Sequence, residues 1–306
     1  MALPADILAS AAYPAVTNAR ASDDYHAGSP HSWKIGGTSL LLSAVDMKAS
    51  KDNFWSGSSK TDRGQETSPF LSGVVTALSG GPVGFSDALM RTDPNVLWPT
   101  TTEDGTLLHL SRPATTVDRC FYAADELDGA EIRAGHAAVN GTSDMWYTVL
   151  AIELEKNLVS ALSVSDLWPK PASSTSYNLW QWNNSACSAD KGPGDACAAA
   201  LQRDTMVAGA PTPARPSPDQ VKWALWSAAP VLSNGYSFLG EKDKYVSVSP
   251  NRFKAVAAPG AGAGIEVALV GAPGEEVALV YIAPDKLTHL QTITVAADGK
   301  WTGVLP

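Results

Sequence analysis

Apolar positions in the first third of the chain come in short clusters broken by Gly, Pro and acidic residues. From Trp33 to Val45, the apolar residues Ile35, Leu40, Leu41, Leu42 and Val45 suit a buried helix better than an alternating strand. A second helix is better marked. Ser68 is a candidate N-cap, Pro69 occupies the first helical position, and Gly80 and Gly81 follow the last apolar residue. Between them Phe70, Leu71, Val74, Val75 and Leu78 fall at helical spacing. Then Gly81-Pro-Val-Gly-Phe-Ser-Asp87 reads as a tight turn, a short buried strand and an acid at its C-terminal end. Helix, glycine turn, strand and polar terminus form the grammar of an α/β barrel unit.

The rest of the chain reads as β. Tyr147 to Leu154 and Val159 to Val164 look like paired strands. Residues 166–220 are rich in Ser, Ala, Pro and Gly and end in Pro211-Thr-Pro-Ala-Arg-Pro-Ser-Pro218. That composition predicts a long surface insertion with a stiff, extended piece. From Lys222 the strands return. Ile265 to Val270 and Val277 to Ile282 flank a turn signal, Gly271-Ala-Pro-Gly274. Thr292 to Val295 follows, and Asp298-Gly299 before Trp301 is a hairpin signal. Short strands joined by turns predict an antiparallel β-sandwich. Gly260-Ala-Gly-Ala-Gly264 precedes a strand instead of joining a strand to a helix, which argues against a nucleotide loop.

Composition narrows the function. Of 306 residues, 44% are apolar and 17% charged, which is globular and not disordered composition. The 31 acidic and 22 basic side chains give a formal charge of −9, with no basic cluster, so nucleic acid is not an expected partner. No apolar run reaches the roughly 18 residues of a membrane span, so no membrane partner is expected. Met1 to Ser10 lacks the basic start and apolar core of a secretory leader. Cys187 and Cys197 could pair in an oxidising compartment, leaving Cys120 as a buried apolar residue. Asn140-Gly-Thr and Asn183-Asn-Ser fit the glycosylation sequon. The 5 histidines show no zinc-site spacing, and neither a Gly-x-Ser-x-Gly elbow nor a Walker loop is present. No metal or cofactor is expected.

The chemistry therefore falls to carboxylates. Arg20-Ala-Ser-Asp23-Asp24 places two acids beside a guanidinium; a neighbouring acid raises a carboxyl pKa and an Arg lowers it. A carboxyl tuned in this way is what glycosyl transfer requires, although the same string also suits a polar turn. Lys51-Asp52-Asn53-Phe54-Trp55 mixes a carboxylate with an indole, as sugar subsites do, and Asp87 ends its own apolar run. A capped turn is the plainer reading of both. Three acids that each follow an apolar stretch would converge on one rim of a barrel. The 10 tryptophans fit core packing or sugar stacking.

These same segments resemble the C-terminal part of the catalytic barrel in glycoside hydrolase family 36, in its raffinose synthase, seed-imbibition protein and alkaline α-galactosidase branch. Arg20-Ala-Ser-Asp-Asp24-Tyr25 resembles the branch's Arg-x-Ser-Asp-Asp-aromatic segment. Lys51-Asp52-Asn-Phe-Trp-Ser56 is similar to Trp-Asp-Met-Phe-x-Ser, and Gly80-Gly-Pro-Val-Gly-Phe-Ser-Asp87 to Gly-Gly-x-Ile-Tyr-Val-Ser-Asp. Glu103-Asp-Gly-Thr-Leu-Leu108, Arg112-Pro-Ala-Thr and Asp118-Arg-Cys-Phe121 resemble the segments that lead into the family's C-terminal β domain. The resemblance implies a retaining mechanism on α-galactosides. It makes Asp24 the acid/base, with Arg20 completing its Arg-x-x-x-Asp pattern and Asp23 binding sugar or tuning Asp24. Asp52, Trp55 and Asp87 would line the sugar pocket.

One departure from the family is expected to matter. Its nucleophile is an Asp in a Lys-x-Asp pattern on an earlier barrel strand, and Met1 stands shortly before Arg20 with no such strand between. Lys60-Thr-Asp62 matches by letters but lies in a polar loop. The expected fold is α/β plus all-β. Residues 1–112 would form the C-terminal portion of an incomplete (β/α)8 barrel, and residues 113–306 an antiparallel β-sandwich domain carrying the insertion at 166–220. The expected partners are an oligosaccharide or galactoside and the missing N-terminal barrel portion. The isolated chain would be inactive. The alternative is a non-catalytic carbohydrate-binding or structural protein with Tyr177, Trp180 and Trp182 as an exposed stacking platform, unless those rings are simply core.

Overall fold

The computed structural model describes residues 12–13, 15–29, 33–57, 64–122, 130–153, 161–162, 164–172, 174–182, 198–201, 206–207, 219, 221–260 and 262–306. Lys60-Thr-Asp62, Asn183, Cys187, Cys197 and the run from Pro211 to Pro218 lie outside the described residues. No helix among the described residues is long and apolar enough to cross a membrane.

The chain opens with strand β1 (Asn18–Arg20), helix α1 (Gly36–Ala44) and strand β2 (Lys48–Ser50), and β1 and β2 pair in parallel. Ile35 and Leu42 are buried but Leu41 is exposed, so the helix is half-buried, not buried all round. Helix α2 (Pro69–Ser79) starts and stops where the capping signals place it. Its last residue is followed by Gly80 at φ 82°, a left-handed conformation that a Cβ would strain. The chain then comes back alongside β2. Parallel bridges join Ala49 to Gly80 and Phe54 to Phe85, closed by Gly81 N–H donating to the Ala49 carbonyl at 2.9 Å and Ser86 N–H to that of Phe54 at 3.0 Å.

This third segment departs from expectation. It is not a buried strand: Phe85 is 48% exposed, and Pro82, Gly84 and Ser86 are exposed as well. No described strand pairs with its outer edge, and Phe85 is covered on one side by the Phe54 ring, edge-on at 5.6 Å between centroids. The parallel portion is three extended segments, and no barrel closes among the described residues.

After helix α3 (Pro94–Leu97) the chain turns to antiparallel sheet. Strands β3 (Arg112–Thr116), β4 (Glu131–Ala138) and β5 (Met145–Ile152) follow, with helix α4 (Asp118–Tyr122) between the first two. Then come β6 (Ala161–Leu162), β7 (Tyr177–Gln181), β8 (Ala198–Leu201), β9 (Met206–Val207) and β10 (Trp223–Pro230). Six of them form one sheet in the order β3-β4-β5-β10-β7-β8. Two expectations fail here. The segment around 161–162 pairs with β9, not with β5, whose neighbours are the longer strands β4 and β10. Also, Tyr177–Gln181 is no surface insertion: its backbone completes the open edge of β10.

The apolar run in β5 is explained by burial on both faces. Trp146, Leu150 and Ile152 enter the main core, while Tyr147, Val149 and Ala151 enter a second cluster with Val117, Cys120, Leu167 and Trp226. Cys120 is a buried free thiol, and burial pushes its pKa up.

The last third adds β11 (Ser237–Glu241), β12 (Phe253–Ala257), β13 (Ile265–Val270), β14 (Glu276–Ile282), β15 (Thr288–Thr294) and β16 (Lys300–Leu305). They form two three-stranded antiparallel sheets, β11-β14-β15 and β12-β13-β16. Gly271 to Gly274 is a turn, but it carries the chain from one sheet to the other. Asp298-Gly299 does likewise and is not the tip of a hairpin, because β16 pairs with β13. These sheet-to-sheet crossings give the sandwich-like arrangement, and one core cluster runs from Ala21 and Trp33 through Trp146 to Leu305.

Candidate functional site: an acidic rim beyond the parallel segments

The three parallel segments end at one place. Beyond β1 the chain runs through buried Ala21 and Ser22 to Asp23, Asp24 and Tyr25; beyond β2 it runs through buried Lys51 to Asp52. In-register pairing of Arg20 with Ser50 sets these turns side by side. The Arg20 guanidinium then donates to Asp24 Oδ1 at 2.7 Å and to Asp52 Oδ2 at 3.2 Å. Hydrogen bonding to Asp24 leads the causes that raise the Arg20 pKa, helped by the charge of Asp52. Asp23 is exposed beside them.

Asp52 is held on all sides. Its Oδ2 also accepts the Tyr25 N–H at 2.9 Å, its Oδ1 accepts the Asn53 N–H at 2.9 Å, and its own N–H donates to Ser22 Oγ at 2.7 Å. Its side chain is 20% exposed, against 78% for Asp24. Asp24 is thus the open carboxylate and Asp52 the fixed one.

Asp87 is brought to the adjoining loop instead of to Arg20. It accepts the Ser56 and Gly57 N–H groups at 2.8 and 3.1 Å and the Ser56 hydroxyl at 2.7 Å. Ser86 Oγ donates to Asn53 Oδ1 at 2.8 Å, which ties the third segment to the second. The half-buried Trp55 ring meets Tyr25 edge-on at 6.0 Å between centroids.

Beneath the rim sits a buried group that pattern reading does not single out. Lys51 is 2% exposed. Its ammonium lies over the Phe54 ring at 4.4 Å and the Tyr25 ring at 5.7 Å, and donates to the carbonyls of Asp52 and Asn53. Burial pushes its pKa down to about 8, opposed by the charges of Glu66 and Asp52. Glu66 is fully buried; it accepts the Tyr25 hydroxyl at 2.7 Å and the Ser68 N–H at 2.8 Å. Burial, then the Glu66 charge, pushes the Tyr25 pKa up. Lys51, Tyr25 and Glu66 therefore form the floor that fixes the rim turns. The one sequence signal for it is Tyr25 adjoining the paired acids and Lys51 adjoining Asp52.

The proposed aromatic platform does not exist as such. Tyr177 and Trp180 are 3% and 9% exposed, because Trp180 packs into the main core and Tyr177 into the second cluster. Trp182 packs against Tyr245 at 4.9 Å and Trp223 at 5.9 Å. Comparison with protein-family models gives no match, and comparison with curated proteins gives none either.

Proposed function

We propose that the rim is the acid/base and sugar-binding side of a site for α-galactosides, working by a retaining mechanism, as the resemblance to glycoside hydrolase family 36 implies. The observation that supports this most directly is Arg20 bridging Asp24 and Asp52 at the ends of two parallel strands. Strand C-terminal ends are where barrel enzymes keep their chemistry. In this reading residues 1–112 are the C-terminal portion of a barrel. Asp24, exposed and held through one oxygen by Arg20, exchanges the proton with the glycosidic oxygen. Asp52 and Trp55 orient the sugar, Asp23 adjoins them, and Asp87 braces the loop that carries Trp55.

A retaining enzyme needs a second carboxyl about 5–5.5 Å from the first to attack the anomeric carbon. The oxygens of Asp52 and Asp87 are already engaged by N–H, guanidinium and hydroxyl donors, which makes them poor attacking groups. The nucleophile in this reading comes from a Lys-x-Asp strand supplied by the N-terminal barrel portion, so the chain alone binds but does not turn over.

Two measurements test the proposal. Calorimetry with galactose and raffinose is expected to give saturable binding in the range of about 1–10 mM, weakened by Asp52→Ala; no heat from either sugar overturns the sugar site. Hydrolysis of an aryl α-galactoside is expected only when a polypeptide carrying the Lys-x-Asp strand is added, and Asp24→Asn is expected to abolish it. Equal turnover by wild type and Asp24→Asn overturns the acid/base role.

A further inference from the structure

A cavity opens away from the rim residues. It has a volume of about 440 Å³ and lies between helix α1 and the face of the six-stranded sheet that carries β3 and β4, walled in part by Ser43, Thr115 and Asp166. Ser43 belongs to the end of α1 that feeds the start of β2, whereas the rim lies past the strand ends. The two places are at opposite ends of the parallel segments.

The cavity's walls carry an unusual set of groups. Arg112 reaches in half-buried; its guanidinium donates to Thr115 Oγ1 at 3.1 Å and makes no ion pair among the described residues. Burial lowers its pKa more than the nearby charge of Asp118 raises it. Its remaining N–H groups have to find acceptors, because a desolvated guanidinium that lacks them is costly. Asp166 is held by Arg119 through both carboxylate oxygens, at 3.0 and 3.1 Å. Trp168 stands at the wall with 63% of its surface exposed, and its backbone carbonyl is fixed by His136 Nδ1 at 2.9 Å.

We infer that this cavity is a second carbohydrate-binding site, taking a neutral mono- or oligosaccharide whose hydroxyls meet Arg112, Thr115 and Asp118 and whose ring face lies on Trp168. The charge balance selects the ligand class. Arg112 is offset by Asp118, and Asp166 by Arg119, so the cavity has no net positive charge to draw in an anion. Donors and acceptors lining the same cavity as one exposed indole match a polyhydroxylated ring with an apolar face. The volume falls within the range of about 300–1,000 Å³ typical of small-molecule sites. This inference does not depend on the rim being a galactoside site.

Fluorine NMR of the whole chain labelled with 5-fluorotryptophan tests it, because Trp168 reports the cavity and Trp55 the rim; Trp168→Phe and Trp55→Phe assign the two signals. Titration with raffinose and with sucrose is expected to move the Trp168 signal saturably in the range of about 1–20 mM. The same shift is expected in Asp52→Asn, and its midpoint is expected to rise about tenfold in Arg112→Met. Trp168→Ala, at an exposed side chain that does not hold the fold, is expected to remove the corresponding calorimetric binding. A Trp168 signal unmoved at about 50 mM sugar overturns the inference. A signal moved by inorganic phosphate and not by sugar overturns the ligand class. If Asp52→Asn abolishes the Trp168 and Trp55 shifts together, there is one sugar site, at the rim, and the cavity is not a second. Failure of the rim proposal alone would leave Trp168 responding and Trp55 silent.

Discussion

Two buried ions set opposite pH signatures on the molecule. Lys51 carries a pKa pushed down to about 8 by burial, below its ordinary value of 10.5. Between those values the unfolded chain binds more protons than the folded one, so stability rises with pH. Asp219 behaves in the other sense. Burial pushes its pKa up to about 6 from 3.8, even though Trp223 Nε1–H and the Leu71 and Phe70 N–H groups all donate to it. The folded chain then binds more protons between pH about 4 and 6, and stability falls as pH rises through that window. Chemical denaturation across pH is expected to show wild type gaining up to about 3 kcal/mol relative to Lys51→Met between pH 8 and 10.5. It is expected to lose up to about 3 kcal/mol relative to Asp219→Asn between pH 4 and 6. Flat differences across both windows would remove these assignments. Asp24 and Asp52 were legible in the sequence because each closes an apolar stretch. Lys51, Glu66 and Asp219 were not, because what makes them important is burial against partners far along the chain.

At the scale of elements, helix α2 shows why local signals succeed and then stop. Pro69 and Gly80 fix its ends correctly, since those residues act through their own backbone. The capping partner was not readable: the Ser68 side chain makes no cap hydrogen bond to the helix, and the carboxylate of Asp219, remote in sequence, accepts the Phe70 and Leu71 N–H groups. The turn at Gly271 is likewise legible, but the hairpin expected at Asp298-Gly299 is not formed, because which strands a turn joins depends on pairing across sheets. Gly81 is where the third segment closes tightly on β2. A Cβ there would stand 2.5 Å from the Ala49 carbonyl oxygen, a backbone atom that cannot swing aside. Gly81→Ala is therefore expected to push the third segment off β2 and cost about 1–3 kcal/mol. It is also expected to release the Ser86 N–H from the Phe54 carbonyl, read as faster amide exchange at Ser86. Unchanged exchange and stability would mean that the third segment is not held by this close approach.

At the scale of the whole molecule, the decisive question is whether the rim half can stand apart from the β half. The sequence reading divides the chain near Arg112, and hydrogen bonds cross that division. Lys244 donates to the carbonyls of Trp98 and Thr101, the Tyr245 N–H donates to that of Pro99, and Ser249 exchanges hydrogen bonds with His109. At the centre lies Arg252, fully buried, paired with Glu241 at 2.9 Å and with Glu275. Burial would lower the Arg252 pKa, but the hydrogen bonds it donates to both carboxylates raise it; burial would raise that of Glu275, but Arg252 holds it below the usual carboxylate range. Glu275 in turn accepts the Glu103 N–H at 3.2 Å, a link from the last sheets back to the segment that precedes β3. Arg252→Met strands two buried carboxylates, a loss of about 3–5 kcal/mol, and because Glu103 and the main core are tied to the same cluster, that loss is not confined to the β half. Denaturation followed by far-ultraviolet dichroism and by tryptophan fluorescence is expected to show one shared transition in wild type, shifted by the same amount for both probes in the variant. Two separated transitions, with only the later one moved by Arg252→Met, would show that the rim half folds on its own and that its geometry owes nothing to the sheets behind it.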